Sequence, residues 1–306
     1  MTSGPVLRVG TRGSALAMSQ SRQVAEHLAA ATGREFRLVT VRTRGDVDRG
    51  PLAQIGGTGV FVTAVREALA AGEVDIAVHS YKDLPTAADP AVHLGAVPAR
   101  EDPADVLCAA DGRTLAELPP NSLVGTGSPR RAAQLLRLRP DVRPVPVRGN
   151  VDTRLAAVAA GDLAAVVLAR AGLARLGRLD AVTQTFAAVD MVPAPAQGAL
   201  AVECGAGDEA MAAALATIDD AASRAATQAE RALLAGLQAG CAAPVGALAA
   251  VVAGTLVLTA RVIAADGRDV REHRARGPVQ RAEELGSRTA EALLADGAGA
   301  LMGRPA

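Results

Sequence analysis

Chemistry is concentrated in one short stretch. His79-Ser80-Tyr81-Lys82-Asp83 follows the apolar run Asp75-Ile76-Ala77-Val78 and is stopped by Pro85. Asp83 places a carboxylate directly beside Lys82, at the expected carboxyl end of a strand over that run. Lys82 is the only lysine, and every other residue among the 32 counted as Lys or Arg is arginine. A composition so tilted toward arginine marks 82 as a position where a guanidinium does not fit. The stretch reads as a buried strand opening onto a polar turn, and in open α/β sheets ligands sit beyond the carboxyl ends of strands. A surface ion pair between Lys82 and Asp83 accounts for the same two residues without function.

The arginines form a second set, placed where strands end and helices begin. Arg12 lies in the turn after a first strand, and Ser14 can cap the helix that follows. Arg130 and Arg131 come after Ser128-Pro129, an N-cap and first-turn proline pair. Arg148 ends a strand, Arg154 lies one turn into the next helix, and Arg175 lies beyond a strand ending at Ala169. Guanidinium forks beside exposed helix amides bind carboxylates or phosphates. Singly, each is a solvated cation; together, on one topological edge, they point to a polyanionic ligand. No Walker loop is present, nor a GxGxxG after a strand. With one Tyr, three Phe, no Trp and zero net charge, nucleic acid is an unsuitable partner. The three cysteines show no paired spacing and no His-rich cluster accompanies them, so no metal site is expected. Cys108 and Cys204 lie in apolar strands and read as core. Cys241 sits on a glycine-flanked loop, Ala239-Gly240-Cys241-Ala242-Ala243-Pro244, either as an exposed nucleophile or attachment point or as a plain thiol.

These residues need a scaffold. Strands are expected at Leu7–Gly10 and 36–41, the latter ending in Arg42-Thr43-Arg44-Gly45-Asp46, with helices near 15–31 and 60–71. The polar, glycine-rich residues 46–59 between them are either a lid or an ordinary connection. The pattern then recurs: Leu123-Val124-Gly125-Thr126-Gly127-Ser128 echoes the first turn, Val145 to Asn150 echoes Val41 to Asp46, and Gly161 to Ala169 echoes Gly72 to Ser80. Two similar α/β domains of the periplasmic-binding-protein type are expected, with a cleft between them. Domain 1 covers 1–98 plus 199–217 and domain 2 covers 99–198. The crossings at Pro98–Asp102 and Pro193–Gly198 suit a hinge. Domain 3, 218–306, is a small α+β unit. It opens with a helix over 221–238 that carries Arg224, Glu230 and Arg231 on a polar face, and strands follow over 245–252, 255–264 and 269–276. Ala232–Ala260 is uncharged but broken by glycines and Pro244, so no membrane span is expected. No export signal is evident, and a reducing cytoplasm suits the cysteines.

Taken in order, these stretches resemble the porphobilinogen deaminase (hydroxymethylbilane synthase) family. The match runs from Gly10-Thr11-Arg12-Gly13-Ser14 through Thr43-Arg44-Gly45-Asp46, Asp75–Pro85, Val124–Arg131, Leu173–Gly177 and Gln197-Gly198-Ala199 to Gly240–Gly246. The resemblance implies a transferase of tetrapyrrole (porphyrin and heme) biosynthesis. It joins four porphobilinogen molecules head to tail, releasing ammonia, on a dipyrromethane cofactor made from substrate and held by a thioether, here at Cys241. Loss of ammonia leaves an electrophilic azafulvene, which the free α-carbon of the bound chain attacks. By the same resemblance Asp83 is catalytic and stabilises pyrrole N–H charge. Lys82, Ser80, Ser128, Arg130, Arg131 and Asp83 face the cofactor. Arg12, Ser14, Arg148, Arg154, Arg175, Phe61 and Gln197 face substrate or the growing chain. Acetates and propionates on every ring supply the polyanion. A cytoplasmic monomer with no membrane or nucleic-acid partner is expected. Thr58 stands where the family often has Lys, and Ala196 where it commonly has Gly. Two other plans remain: a two-domain anion-binding protein of periplasmic type, which needs neither Cys241 nor a third domain, and a Schiff-base enzyme using Lys82. The second is opposed by Asp83, which would raise the lysine pKa.

Overall fold

A computed structural model describes residues 5–41, 59–240 and 243–303, with side chains from Val62 onward in the helix that opens at Gly59. The chain divides into two compact units, residues 1–100 with 199–224 and residues 101–198 with 225–306.

The first unit is a five-stranded sheet in the order β2-β1-β3-β10-β4. Its strands are β1 (Leu7–Thr11), β2 (Phe36–Thr40), β3 (Ile76–Ser80), β4 (Val92–Ala96) and β10 (Leu200–Gly205). β1 runs parallel to β2 and β3, and β10 runs antiparallel to β3 and β4. Helix α1 (Ala15–Thr32) starts where the Ser14 hydroxyl accepts the Ala17 N–H at 3.3 Å and ends at Gly33, φ 69°. This is the expected pairing of a serine N-cap with a left-handed glycine stop. α1 buries Val24 and Leu28 against Leu7, Val9, Ile76 and Val78 on one face of the sheet. On the other face, α2 (Gly59–Ala70) packs Val65, Ala68 and Leu69 against Val74 and Ala77. β3 is covered on both sides, which is why its sequence is a continuous apolar run.

The second unit repeats the plan. Its sheet order is β7-β6-β8-β5-β9, from β5 (Asp105–Ala109), β6 (Leu123–Gly125), β7 (Arg143–Val145), β8 (Ala165–Ala169) and β9 (Gln184–Thr185). β6 is parallel to β7 and β8, and β5 is antiparallel to β8 and β9. Helices α3 (Pro129–Leu138), α4 (Val151–Ala159) and α5 (Arg170–Arg175) follow β6, β7 and β8. The recurrence legible in sequence is therefore a recurrence of strand order. A three-stranded antiparallel sheet, β11 (Val245–Val252), β12 (Thr255–Ile263) and β13 (Val270–Pro278), completes this unit. Helix α6 (Glu209–Ala216) belongs to the first unit, while α7 (Ala221–Gly236) begins there and runs into the second. α7 and α8 (Ala282–Ala295) share the core of this last sheet, through Leu233, Leu234, Leu285 and Leu293 beneath Leu256 and Leu258.

One sequence expectation is corrected here. Glu230 is not on a polar face: it is 0% exposed. Its carboxylate accepts the Ala196 N–H at 2.5 Å and the Ala249 N–H at 2.7 Å. Helical periodicity located the helix but not the two backbone donors, from distant parts of the chain, that draw this charge inside. The third sheet is tied to α3. Arg261 donates to Gln134 Oε1 at 3.1 Å and to the Val189 carbonyl at 2.8 Å. The turn glycine Gly267, φ 76°, lies against the α3 backbone, where a Cβ would meet Ala133 O at 2.6 Å.

Candidate functional site

In the first unit, β1 and β3 are parallel neighbours, so Arg12 and the Ser80–Asp83 segment leave the sheet at the same carboxyl edge. Ser80 exchanges hydrogen bonds with Gln20 of α1, at 2.9 and 3.2 Å. Tyr81 N–H donates to Ala199 O at 3.0 Å, and Leu84 N–H closes a 3₁₀ turn onto Tyr81 O at 3.2 Å. Tyr81 and Leu84 are buried. Between these two anchors Lys82 is half-buried and Asp83 is exposed. The turn thus turns its apolar members inward and offers an ammonium and a carboxylate beyond the strand end. The Ser14 hydroxyl at the same edge serves as the α1 cap.

The second unit gathers its residues at the matching edge, beyond β6, β7 and β8. Ser128 caps α3, accepting Arg131 N–H at 3.4 Å. Arg130 and Arg131 turn into the fold, toward Asp105, which is 0% exposed. Arg130 Nη1 donates to Asp105 Oδ2 and to Val192 O, both at 2.7 Å. Arg131 Nε donates to Asp105 Oδ1 at 2.9 Å, and its Nη1 to Val167 O at 3.1 Å. Gln197 Nε2 adds bonds to Asp105 Oδ1 at 2.8 Å and to Pro103 O at 2.7 Å. Burial alone would raise the Asp105 pKa, but Arg130 and Arg131 outweigh it and hold the carboxyl well below its usual range. Burial pulls the Arg130 guanidinium down, and Arg131 adds to that.

Arg148 is exposed just past β7. Asn150 caps α4 through Thr153 N–H at 2.8 Å, and Arg154 Nε donates to Gly149 O at 3.0 Å. Burial lowers the Arg154 pKa, and the positive charge of Arg131 lowers it further. Arg175 Nη2 donates to Gly198 O at 2.7 Å, and burial lowers its pKa too. The Arg131 charge deepens the lowered pKa of both Arg130 and Arg154, and crowded guanidinium groups beside capped helix starts suit a ligand with several carboxylates. Such a donor set fits the acetate and propionate groups of pyrroles.

The remaining expectations divide. Cys108 and Cys204 are buried core thiols, and burial pushes Cys108 up to about 11. Phe61 falls within α2, but its side chain lies outside the described residues, as do Cys241, Arg42–Asp46 and Thr58. Asp105 and Glu203, the buried carboxylates of the two sheets, were missed in sequence. Their signal was a charge at the start of, or within, an apolar strand, which in a core requires a partner. No group of His, Cys, Asp and Glu among the described residues could hold a metal ion, and no described helix is long and apolar enough to cross a membrane.

A duplicated α/β sheet pair with cationic strand ends and an appended antiparallel sheet defines a protein of mixed α/β class. The family model described as porphobilinogen deaminase, dipyrromethane cofactor binding domain matches residues 7–213, and that of the porphobilinogen deaminase C-terminal domain matches 225–295. The chain is 56% identical over 306 residues to porphobilinogen deaminase of Mycobacterium tuberculosis (strain ATCC 25618 / H37Rv), covering 97% of this chain and 98% of that protein. It is 59% identical over 265 residues to that of Leifsonia xyli subsp. xyli, covering 85% and 80%. Among solved structures, a periplasmic substrate-binding protein of an ABC transporter from Coxiella burnetii is 14% identical with a TM-score of 0.43, covering 70% of this chain and 91% of that one. The chain belongs to the porphobilinogen deaminase family.

Proposed function

We propose that the chain condenses four porphobilinogen molecules head to tail into the linear tetrapyrrole hydroxymethylbilane, acting in the cytoplasm as a monomer. The observation that carries this reading is Asp83, an exposed carboxylate on a turn anchored on both sides, with Lys82 beside it and Arg12 on the same edge. In each addition the C–N bond of the aminomethyl group breaks and ammonia leaves. A C–C bond forms to the free α-carbon of the bound chain, whose proton is lost; at release, water would cleave the bond between the cofactor and the methylene of the first unit added, returning a proton to the cofactor side and leaving that first unit with the hydroxymethyl group. Asp83 accepts hydrogen bonds from pyrrole N–H groups as positive charge develops on them, and holds the proton in transit. Lys82, Ser80, Ser128, Arg130 and Arg131 bind the cofactor side. For Arg130 and Arg131 this role is shared with Asp105. Arg12, Ser14, Arg148, Arg154, Arg175, Phe61 and Gln197 bind substrate and growing chain. The dipyrromethane, when bound through Cys241, supplies the first nucleophilic α-carbon. Three domains, 1–98 with 199–217, 99–198 and 218–306, divide these tasks.

The intact mass of the purified protein tests the cofactor: an adduct of two pyrrole units is expected, absent in Cys241→Ser, and an unmodified yet active chain would overturn the reading. Asp83→Asn is expected to keep fold and adduct while turnover falls by about 10²-fold or more, as when one aimed electrostatic group is removed.

A further inference from the structure

Behind the Ser80–Asp83 edge lies a charged cluster that the proposed chemistry leaves unused. Glu203 stands in the apolar strand β10 and is 3% exposed. It pairs in register with Ala77, and Ala201 pairs with His79. Alternation therefore puts Glu203 and His79 on one face of the sheet, the face that α2 covers. From α2, Arg66 donates through Nε to Glu203 Oε2 at 2.9 Å and through Nη2 to Oε1 at 2.6 Å. His79 Nε2 lies 3.4 Å from Glu203 Oε2. The third arm of the same guanidinium, Nη1, reaches Asp89 Oδ2 at 3.3 Å. Asp89 is itself fixed, accepting Ala91 N–H at 3.0 Å on its carboxylate. One arginine thus reaches both roots of the segment that carries Lys82 and Asp83: the far root through Asp89, and the near root through Glu203, which pairs with Ala77 of β3 and lies beside His79 without a hydrogen bond to it. A buried ion pair adds little net stability over apolar residues of the same volume. What it adds at this point is a fixed geometry.

We propose that Arg66 and Glu203 are positioning residues that clamp the two ends of the Ser80–Asp89 segment and thereby aim Asp83. This inference rests on the reading of Asp83 as the reacting carboxylate. The test uses the cofactor-loaded enzyme with Arg66→Lys, which keeps the charge but loses the fork, and Glu203→Gln, which keeps the shape. Misaiming a reacting group costs rate and leaves ground-state binding in place. Each variant should therefore lose about ten-fold or more in kcat per folded molecule, with KM for porphobilinogen and adduct mass close to wild type, while Glu203→Gln also lowers Tm because it removes one partner of a buried ion pair. The double variant should be little worse than either single one, because both substitutions break one unit. Wild-type kcat in both variants would overturn the clamp. So would a kcat loss that disappears once activity is expressed per folded molecule, since the pair would then serve folding alone. Normal turnover in Asp83→Asn would remove the reacting carboxylate instead, and the clamp with it, which separates the two failures.

Discussion

The two five-stranded sheets share a strand order but differ at one register position. In the second unit, Asp105 opens β5 opposite Ala169, at the carboxyl end of β8. In the first unit, Leu200 opens β10 opposite Ser80, at the carboxyl end of β3. The same place in the same topology is a buried carboxylate in one sheet and a buried leucine in the other. In the second unit that carboxylate draws Arg130 and Arg131 into the fold and neutralises one of their two charges, leaving net positive charge at the edge. In the first unit the edge carboxylate is Asp83, carried past the strand on a turn and exposed. Duplication supplied two equivalent strand-end platforms. One holds its carboxylate inside as a counter-ion, and the other presents it outward, where the proposed chemistry would use it.

The most direct way to break this comparison is to give the second unit the first unit's residue. Asp105→Leu leaves two buried guanidinium groups without a carboxylate and is expected to destabilise by roughly 3–5 kcal/mol, the range for removing one partner of a buried ion pair. Asp105→Asn, which retains acceptor capacity, should cost less. Denaturant unfolding measures both. A loss near zero for Asp105→Leu would show that Arg130 and Arg131 reach solvent or other acceptors at little cost, and the distinction between the two edges would fall.

Acid titration sharpens the comparison on the first unit's side. Burial raises the Glu203 pKa, but Arg66 and then His79 pull it to about 2, from 4.5 for a free side chain. A depressed carboxylate stabilises the folded state fully above its unfolded value and loses that contribution as protons return. Glu203 should therefore add constant stability above about pH 4.5 that declines as pH falls toward 2. Measured as stability against pH, Glu203→Gln should lack that part of the slope and converge with wild type at low pH. Parallel curves across the acid range would mean that Glu203 is not held ionised by Arg66. Asp105, depressed in the same direction, adds a slope of the same sign from the second unit, which Glu203→Gln leaves untouched.

What could be read from sequence was whatever is written locally. The buried run of β3, the Ser14 and Ser128 caps, the glycine stops and the recurrence of strand, turn and helix all depend on neighbours in the chain, and the motifs placed the chain in its family. What could not be read depends on distant partners. Glu230 looks like a surface residue until Ala196 and Ala249 supply their N–H groups, which are 34 and 19 positions away. Arg66 looks like an exposed helix residue until Glu203, 137 positions on, closes on its fork. Arg130 and Arg131 were legible as cations at a helix start, but Asp105 was not legible as the residue that turns them inward. Charge patterns show where charge is needed, whereas pairing across a sheet decides which charges remain for a ligand.

The smallest expected effect concerns Ala196, which stands where the family commonly has glycine. Its backbone has φ 60°, the left-handed region, where a Cβ is disfavoured by roughly 1–2 kcal/mol. The conformation persists because Ala196 N–H is held by Glu230 at 2.5 Å and Gln197 N–H by Ala194 O at 2.9 Å. Gly198 follows at φ 88°, with its Cα turned against the backbone carbonyl of Glu101. The segment is thus bent twice, once with a residue suited to the bend and once without. Ala196→Gly removes the steric penalty but gives the unfolded chain more freedom, a term of opposite sign worth about 0.4–1 kcal/mol. The difference leaves a stability gain of roughly 0–1.6 kcal/mol. Tm and denaturant midpoint measure it. A clear loss would mean that the Ala196 methyl group, fully buried, contributes packing that outweighs its strain, and that the alanine is an adaptation of this segment to the carboxylate of Glu230.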